Sequence, residues 1–220
     1  MNLYYYDIPR ADSFGGVKGL RRQSKKSRDA ALTYLSGQDA YTLHKEVKRK
    51  FRRRKTFAEG INDLWQADLV DLSKLASSND GFRHLLMTID VFSKYARIVP
   101  LKTKKGKEVR DALASLISEA KPTFLQTDKG TEFLNFTVQN FLKENDIKHY
   151  TSENDDIKCA VVERFNRTIL SKLSRYFTYK STTRYLDVIQ DLLRSYNDTE
   201  HSSIKMAPSR VTANEEPFIR

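Results

Sequence analysis

Leu64-Trp65-Gln66-Ala67-Asp68-Leu69-Val70 carries apolar side chains at both parities of an extended chain, the pattern of a strand covered on both faces. Such a strand belongs in the middle of a sheet, and it sets one carboxylate, Asp68, in a central and largely buried position. Trp65 alternates with apolar positions and is expected in the core rather than as a platform for a base. Downstream, the β-prone runs 84–90 and 96–101 are separated by polar, turn-rich links such as Ser77-Ser78-Asn79-Asp80-Gly81. Three consecutive strands with short links suggest an antiparallel meander. Val109, Ala112, Leu113, Leu116 and Ile117 then recur at helical spacing, and 123–127 reads as a fourth strand. Asn135 is placed to cap a helix striped by Val138, Phe141 and Leu142, and Lys148-His149-Tyr150 is a fifth strand. Beyond the polar, acidic segment 151–158, Val162, Phe165, Ile169, Leu173 and Tyr176 mark a long amphipathic helix, and Leu186, Ile189, Leu193 and Tyr196 mark another. The fold class is therefore α/β, with a mixed five-stranded sheet flanked by helices.

Upstream of Leu64 the chain changes character. Residues 1–60 hold 15 Lys and Arg against 6 Asp and Glu, whereas the other 160 residues hold 24 against 22, so most of the net charge of +11 is local. It peaks in Lys48-Arg49-Lys50-Phe51-Arg52-Arg53-Arg54-Lys55, where seven of eight side chains are cationic. Cations this dense repel one another unless a polyanion neutralises them, and each neutralised phosphate releases condensed counterions. Lys48, Arg49, Lys50, Arg52, Arg53, Arg54 and Lys55 are thus candidate nucleic-acid contacts, and the same run fits a linker or a nuclear-import signal. Short helical patterns at 17–24 and 27–35, the latter with Ser27 to cap and Gly37 to stop it, indicate a small helical appendage rather than a second large core. The expected division is 1–60 as a helical basic N-terminal region and linker, 61–212 as the core and 213–220 as a tail. Tyr4, Tyr5 and Tyr6 suit either base stacking or packing.

Whole classes are excluded by composition. No apolar run approaches the ~18 residues of a membrane span, and the N-terminus lacks the basic and apolar regions of a signal peptide. A soluble intracellular protein is expected, with no membrane partner. One cysteine, Cys159, permits no internal disulfide and no multi-cysteine zinc cluster.

Three carboxylates ask for an explanation. Asp68 lies inside the central strand, Asp128 ends the fourth strand at the carboxyl edge where ligand sites gather, and Glu163 opens the long helix after the polar segment. Singly, Asp68 could pair with an Arg, Asp128 could close a turn and Glu163 could answer the helix dipole. Together, three hard oxygen donors are best reconciled by a divalent ion, and Mg²⁺ suits them because it keeps water or substrate phosphate among its ligands. Two such ions about 3.5–4 Å apart support in-line phosphodiester displacement. Asp71 has the opposite strand parity from Asp68, and Asp90 sits where a turn aspartate would.

Trp65-Gln66-Ala67-Asp68, Gln126-Thr127-Asp128-Lys129-Gly130-Thr131-Glu132-Phe133 and Val162-Glu163-Arg164-Phe165-Asn166-Arg167-Thr168, in that order, resemble the integrase catalytic core of retroviruses, retrotransposons and related DNA transposons. The resemblance covers about 64–211, and the 34 residues between Asp128 and Glu163 are close to that family's usual 35. Ser13-Phe14-Gly15-Gly16-Val17 and Tyr41-Thr42-Leu43-His44-Lys45 make the chain most similar to Maverick or Polinton transposon integrases. The resemblance implies a ribonuclease H-like fold that gathers Asp68, Asp128 and Glu163 as catalytic, metal-binding residues for Mg²⁺ or Mn²⁺. It also implies 3′-end processing and strand transfer of DNA ends into target DNA, a homo-oligomer and action in the nucleus. Lys129, Asn166 and Arg167 would contact DNA, the last two lying three and four residues beyond Glu163 on one helical face.

Departures matter as much. The His2Cys2 zinc domain that many integrases carry cannot be built from a region whose single histidine before residue 84 is His44 and which has no cysteine, so no zinc is expected. The chain ends at Arg220, soon after the core, so a C-terminal DNA-binding domain is expected to be absent and the product to be a fragment or a remnant. Two alternatives stay open: a domesticated nucleic-acid-binding protein without transposition activity, and a nuclease for RNA–DNA hybrids.

Overall fold

The computed structural model describes residues 1–45, 56–151 and 159–219. Strand β1 (Leu64–Asp71) is central in a five-stranded sheet of order β3-β2-β1-β4-β5, with β2 at His84–Asp90, β3 at Ala96–Leu101, β4 at Phe124–Thr127 and β5 at Lys148–Thr151. The meander is antiparallel, pairing Trp65 with Asp90 and Asp71 with His84, then His84 with Leu101. β4 returns parallel to β1, pairing Leu64 with Phe124 and Gln66 with Gln126. β5 follows parallel to β4. This is the mixed five-stranded sheet that the strand pattern predicted, in the ribonuclease H-like form that the resemblance implied.

Alternation along β1 divides the core. Trp65 and Ala67 face a layer made by α5 (Gly106–Glu119) and α7 (Phe136–Glu144), through Val109, Leu113, Val138 and Leu142. Trp65 is core, as read, with its indole N–H donated to Asn62 and the Arg97 guanidinium 4.4 Å from its ring. The opposite parity of β1 and β2, including Met87 and Ile89, meets α8 (Ala160–Lys180) and α9 (Ile189–Asn197). Asn135 caps α7, its side-chain oxygen accepting from the Val138 N–H. A four-residue turn of helix, α6 (Thr131–Leu134), precedes it.

Leu186 was read as opening the last long helix, but α9 begins three residues later. The Asn79 carboxamide oxygen accepts from the Tyr185 and Leu186 N–H groups, and this tertiary bond holds both residues outside the helix. Asp68 keeps only a minor part of its surface exposed, where cover along β1 begins to thin after Ala67.

In the N-terminal region, α4 (Asp39–Thr42) lies against α8, α3 (Arg28–Ser36) packs on α4, and α2 (Val17–Ser24) packs on α3 and on α1 (Asn2–Tyr6). Tyr5, Phe14, Leu20, Ala31 and Leu35 belong to the same hydrophobic cluster as Phe165, Leu173 and Leu192. The tyrosines pack: Tyr5 is buried and Tyr6 stacks on Tyr179 at 4.2 Å. Ser27 caps α3 and Gly37 ends it, as the pattern predicted. A short helix, α10 (Glu216–Ile219), closes the described chain, and no helix among the described residues is long and apolar enough to cross a membrane. The basic run 48–55 and residues 152–158 of the polar segment lie outside the described residues.

Candidate active site

Register places two of the acids. Because Gln66 pairs with Gln126 across the parallel strands, the same offset sets Asp68 opposite Asp128, just past the end of β4. The third, Glu163, lies in the first turn of α8, on the face of the sheet that Asp68 occupies. Asp68, Glu163, Asn166 and Arg167 line one cavity together with His44 from the N-terminal region. Asp128 is not among the residues lining it and is exposed, with its carboxylate accepting from the Gly130 N–H at 3.0 Å. A Cβ on Gly130 would meet that carboxylate oxygen at 2.9 Å and the Glu132 carboxyl carbon at 2.8 Å, both ends of side chains that can turn aside. Lys129 is exposed beside it.

The charges of the other two acids act on Asp68. Burial raises the Asp68 carboxyl above its ordinary value, and the charges of Asp128 and Glu163 push the same way. Two hydrogen bonds oppose them: the Leu69 N–H donates to one oxygen at 2.8 Å, and the Asn166 amide donates to the other at 2.6 Å. Cys159, buried at the start of α8, is pushed up to about 12, first by burial and then by the fields of Asp128, Asp68 and Glu163. Asp71 points to the other face, where it accepts from Ser73, and Asp90 accepts from the Phe92 and Ser93 N–H groups as a turn residue does.

Sequence reasoning missed what holds α8 in place. Gln66 is fully buried; its side-chain oxygen accepts from the Val161 and Val162 N–H groups at 2.9 and 3.0 Å, and its amide donates to Gln126 at 2.8 Å. The first orphan donors of α8 are thereby tied to the central strand, one residue before Glu163. A second network supports the end of β4. The Thr127 hydroxyl donates to the Asp128 carbonyl, His149 Nε2 lies 2.9 Å from that hydroxyl, and the Gln139 amide meets His149 Nδ1 at 2.9 Å. This assigns a neutral His149 protonated at Nε2, in keeping with burial, which lowers its pKa. The available signal was polar side chains at matching parity in two apolar strands.

The donor set fits a hard divalent ion in type: carboxylate oxygens whose mutual repulsion an ion would relieve. Among the described residues no three His, Cys, Asp or Glu side chains form a ready metal cage as they stand. Mg²⁺ takes few protein carboxylates and fills its shell with water and phosphate oxygens.

Residues 58–156 match the family described as Integrase core domain, a span that contains Asp68 and Asp128 and stops before Glu163. A transposon-derived protein of Caenorhabditis elegans is 37% identical over 142 residues, covering 64% of this chain and 49% of that protein. The retrovirus-related Pol polyprotein of transposon 297 from Drosophila melanogaster is 28% identical over 138 residues, covering 61% of this chain and 13% of that protein. The chain thus spans about half the length of the first relative and far less of the second. In fold, it resembles the HTLV-2 integrase catalytic core domain solved with magnesium, with a TM-score of 0.59, 23% identity, and coverage of 70% of this chain and 99% of that one. It also resembles a chain of the simian T-cell lymphotropic virus intasome, with a TM-score of 0.64, 18% identity, and coverage of 90% and 70%. The mixed sheet and the acid-bearing β1 and β4 agree with that match, and over residues 58–156 the chain is similar to the integrase core domain.

Proposed function

We propose that this protein is a DNA integrase of transposon origin that processes DNA 3′ ends and transfers them into target DNA, with Asp68, Asp128 and Glu163 holding two Mg²⁺ or Mn²⁺ ions. The observation that supports the reading is the strand register that sets Asp68 opposite Asp128, together with the cavity that Asp68 shares with Glu163, in a chain similar to the integrase core domain over residues 58–156. When bound, the ions supply charge stabilisation to an in-line phosphoryl transfer that needs no protein nucleophile. The chain's own residues do the rest. Asn166 orients the Asp68 carboxylate, Gln66 fixes the start of the helix bearing Glu163, and Arg167 faces the same cavity, where its guanidinium suits a backbone phosphate. Lys129 and the run 48–55 would add phosphate contacts, and that run also suits import into the nucleus. The HTLV-2 core has been solved in dimeric and trimeric forms, and a homo-oligomer is the assembly proposed here.

The test is a joining assay on purified protein, with duplex DNA donors, a supercoiled plasmid target, and Mg²⁺ or Mn²⁺. Nicking and joining are expected, and Asp128→Asn should lower both by at least about 100-fold while DNA affinity measured in EDTA stays within about twofold. A protein that binds DNA but neither nicks nor joins any donor, including the matching terminal repeats, is a DNA-binding remnant. Hybrid cleavage without joining would identify a nuclease instead.

A further inference from the structure

Helix α2 exposes Lys18, Arg21 and Arg22 at positions i, i+3 and i+4, so the three lie along one side of the helix, and Lys25 is exposed at its left-handed C-cap. Its other side is anchored: Leu20 is buried, and Gly19 approaches so closely that a Cβ there would meet the Asp12 side chain at 2.8 Å. Arg22 lies 3.5 Å from Glu200 and 3.8 Å from Asp12, which fixes the helix relative to the C-terminal part of the core. These cations are held on a folded scaffold.

They also lie beside a row of neighbouring cavities along α8. The cavity of Asp68 and Glu163 shares Arg167 and Ser171 with the next one, where α8 meets Gly15 and Gly16 just ahead of α2. That second cavity shares Arg164, Thr168 and Lys172 with a third, whose opposite wall carries Lys18 and Arg22. A fourth extends the row past Arg21, Lys25 and Lys26. Arg164, Arg167 or Thr168, and Ser171 repeat on α8 at helical spacing, so α8 and α2 present polar and cationic side chains to this row of cavities. Apart from Asp68 and Glu163 at its end, the acid lining it among the described residues is Glu200. Like charges concentrated along such a row are relieved by a polyanion running along it.

We propose that this row of cavities along α2 and α8 is a phosphate-backbone track for duplex DNA, distinct from the run 48–55, which leads the DNA to the acidic cavity. It rests on the DNA-joining reading for what is delivered, but binding can be measured without divalent ions and hence without chemistry.

The experiment titrates a fluorescent 30-base-pair duplex with the full chain in EDTA across a range of salt. The triple variant Lys18→Gln, Arg21→Gln and Lys26→Gln is compared with Lys107→Gln, Lys121→Gln and Lys143→Gln, which remove the same charge from exposed lysines on the α5 and α7 side. Three lost phosphate contacts should flatten the log–log salt slope by about 2.7 and weaken binding at least about 10-fold near 0.15 M salt, whereas the control triple should change the slope by less than about 1. The charge-preserving variant Lys18→Arg, Arg21→Lys and Lys26→Arg should bind like the parent. Equal losses in the two neutralising triples, no loss in either, or loss in the charge-preserving variant would overturn the track. Tighter binding of an RNA–DNA hybrid than of duplex DNA would overturn its assignment to duplex DNA. Because joining is not read, failure here leaves the Asp128→Asn outcome standing.

Discussion

Gln66 is the residue on which the site's geometry turns. One buried carboxamide accepts two N–H groups at the start of α8 and donates to the strand that ends at Asp128, so it touches the supports of two acids at once. Gln66→Met keeps the length and removes the polar atoms, leaving the Val161 and Val162 N–H groups and the Gln126 oxygen unpaired. A buried group left without its partner costs about 1–3 kcal/mol. The variant should lose about 2–4 kcal/mol in urea unfolding, and joining should fall about 10–100-fold as Glu163 drifts from Asp68, with DNA affinity in EDTA unchanged. A variant that unfolds like the parent would remove Gln66 from this role. Why Asp68 could be singled out from sequence and Gln66 could not has a physical answer. An ionised group in an apolar strand demands compensation wherever the chain goes, whereas a glutamine makes no such demand, and its partners lie 60, 95 and 96 residues away. The proximity of the three acids likewise depends on strand register, which no spacing in the sequence encodes.

At the scale of elements, α8 serves two surfaces over its 21 residues. Val162, Phe165, Ile169 and Leu173 recur at three- and four-residue steps and are buried against the sheet and α9, while Glu163, Asn166 and Arg167 face the cavity. This periodicity made the helix legible, because burial repeats with the helical turn. The same logic failed where tertiary bonds override it, as with Leu186 held by Asn79, and where an element is too short to have a period, as with the four residues of α6. If the apolar face of α8 is the joint between sheet and helices, cutting it should cost what a core cavity costs. Ile169 is fully buried, and Ile169→Ala should destabilise by about 3 kcal/mol. In a chain of 220 residues that corresponds to a fall in Tm of about 6–12 °C, readable by calorimetry. A fall below about 3 °C would mean that the sheet and α9 hold without this face.

For the whole molecule, the question is how the N-terminal helices are coupled to the core. Their thin apolar content reads as a small appendage, since a sequence reveals how many apolar side chains a segment has but not which neighbour covers them. In the structure Tyr5, Phe14, Leu20 and Leu35 share a cluster with α8 and α9, and a buried lysine sits in the seam. Lys172 donates to the Ser13 carbonyl at 2.6 Å and to the Ser195 hydroxyl at 3.0 Å, and Ser195 in turn donates to the Arg10 carbonyl at 3.0 Å. Burial lowers its pKa to about 8; Asp12 on the N-terminal side opposes the shift and Arg175 on α8 adds to it. The unfolded chain keeps this proton up to the ordinary lysine value near 10.4. Between about pH 8 and that value the unfolded state therefore binds more protons, so the Lys172 contribution makes stability rise with pH, and it is flat below pH 8. A neutral amine still has two hydrogens for its two acceptors, so deprotonation removes the cost of the buried charge while leaving the seam bonded. Lys172→Arg stays charged throughout and should abolish the rise. Unfolding midpoints of parent and variant measured from pH 7 to 9.5 should accordingly diverge above pH 8, the parent gaining relative to Lys172→Arg, with Lys172→Met as a second reference lacking the titrating group. Parallel curves for all three proteins would mean that Lys172 keeps its proton across this range and that the seam is not what burial predicts.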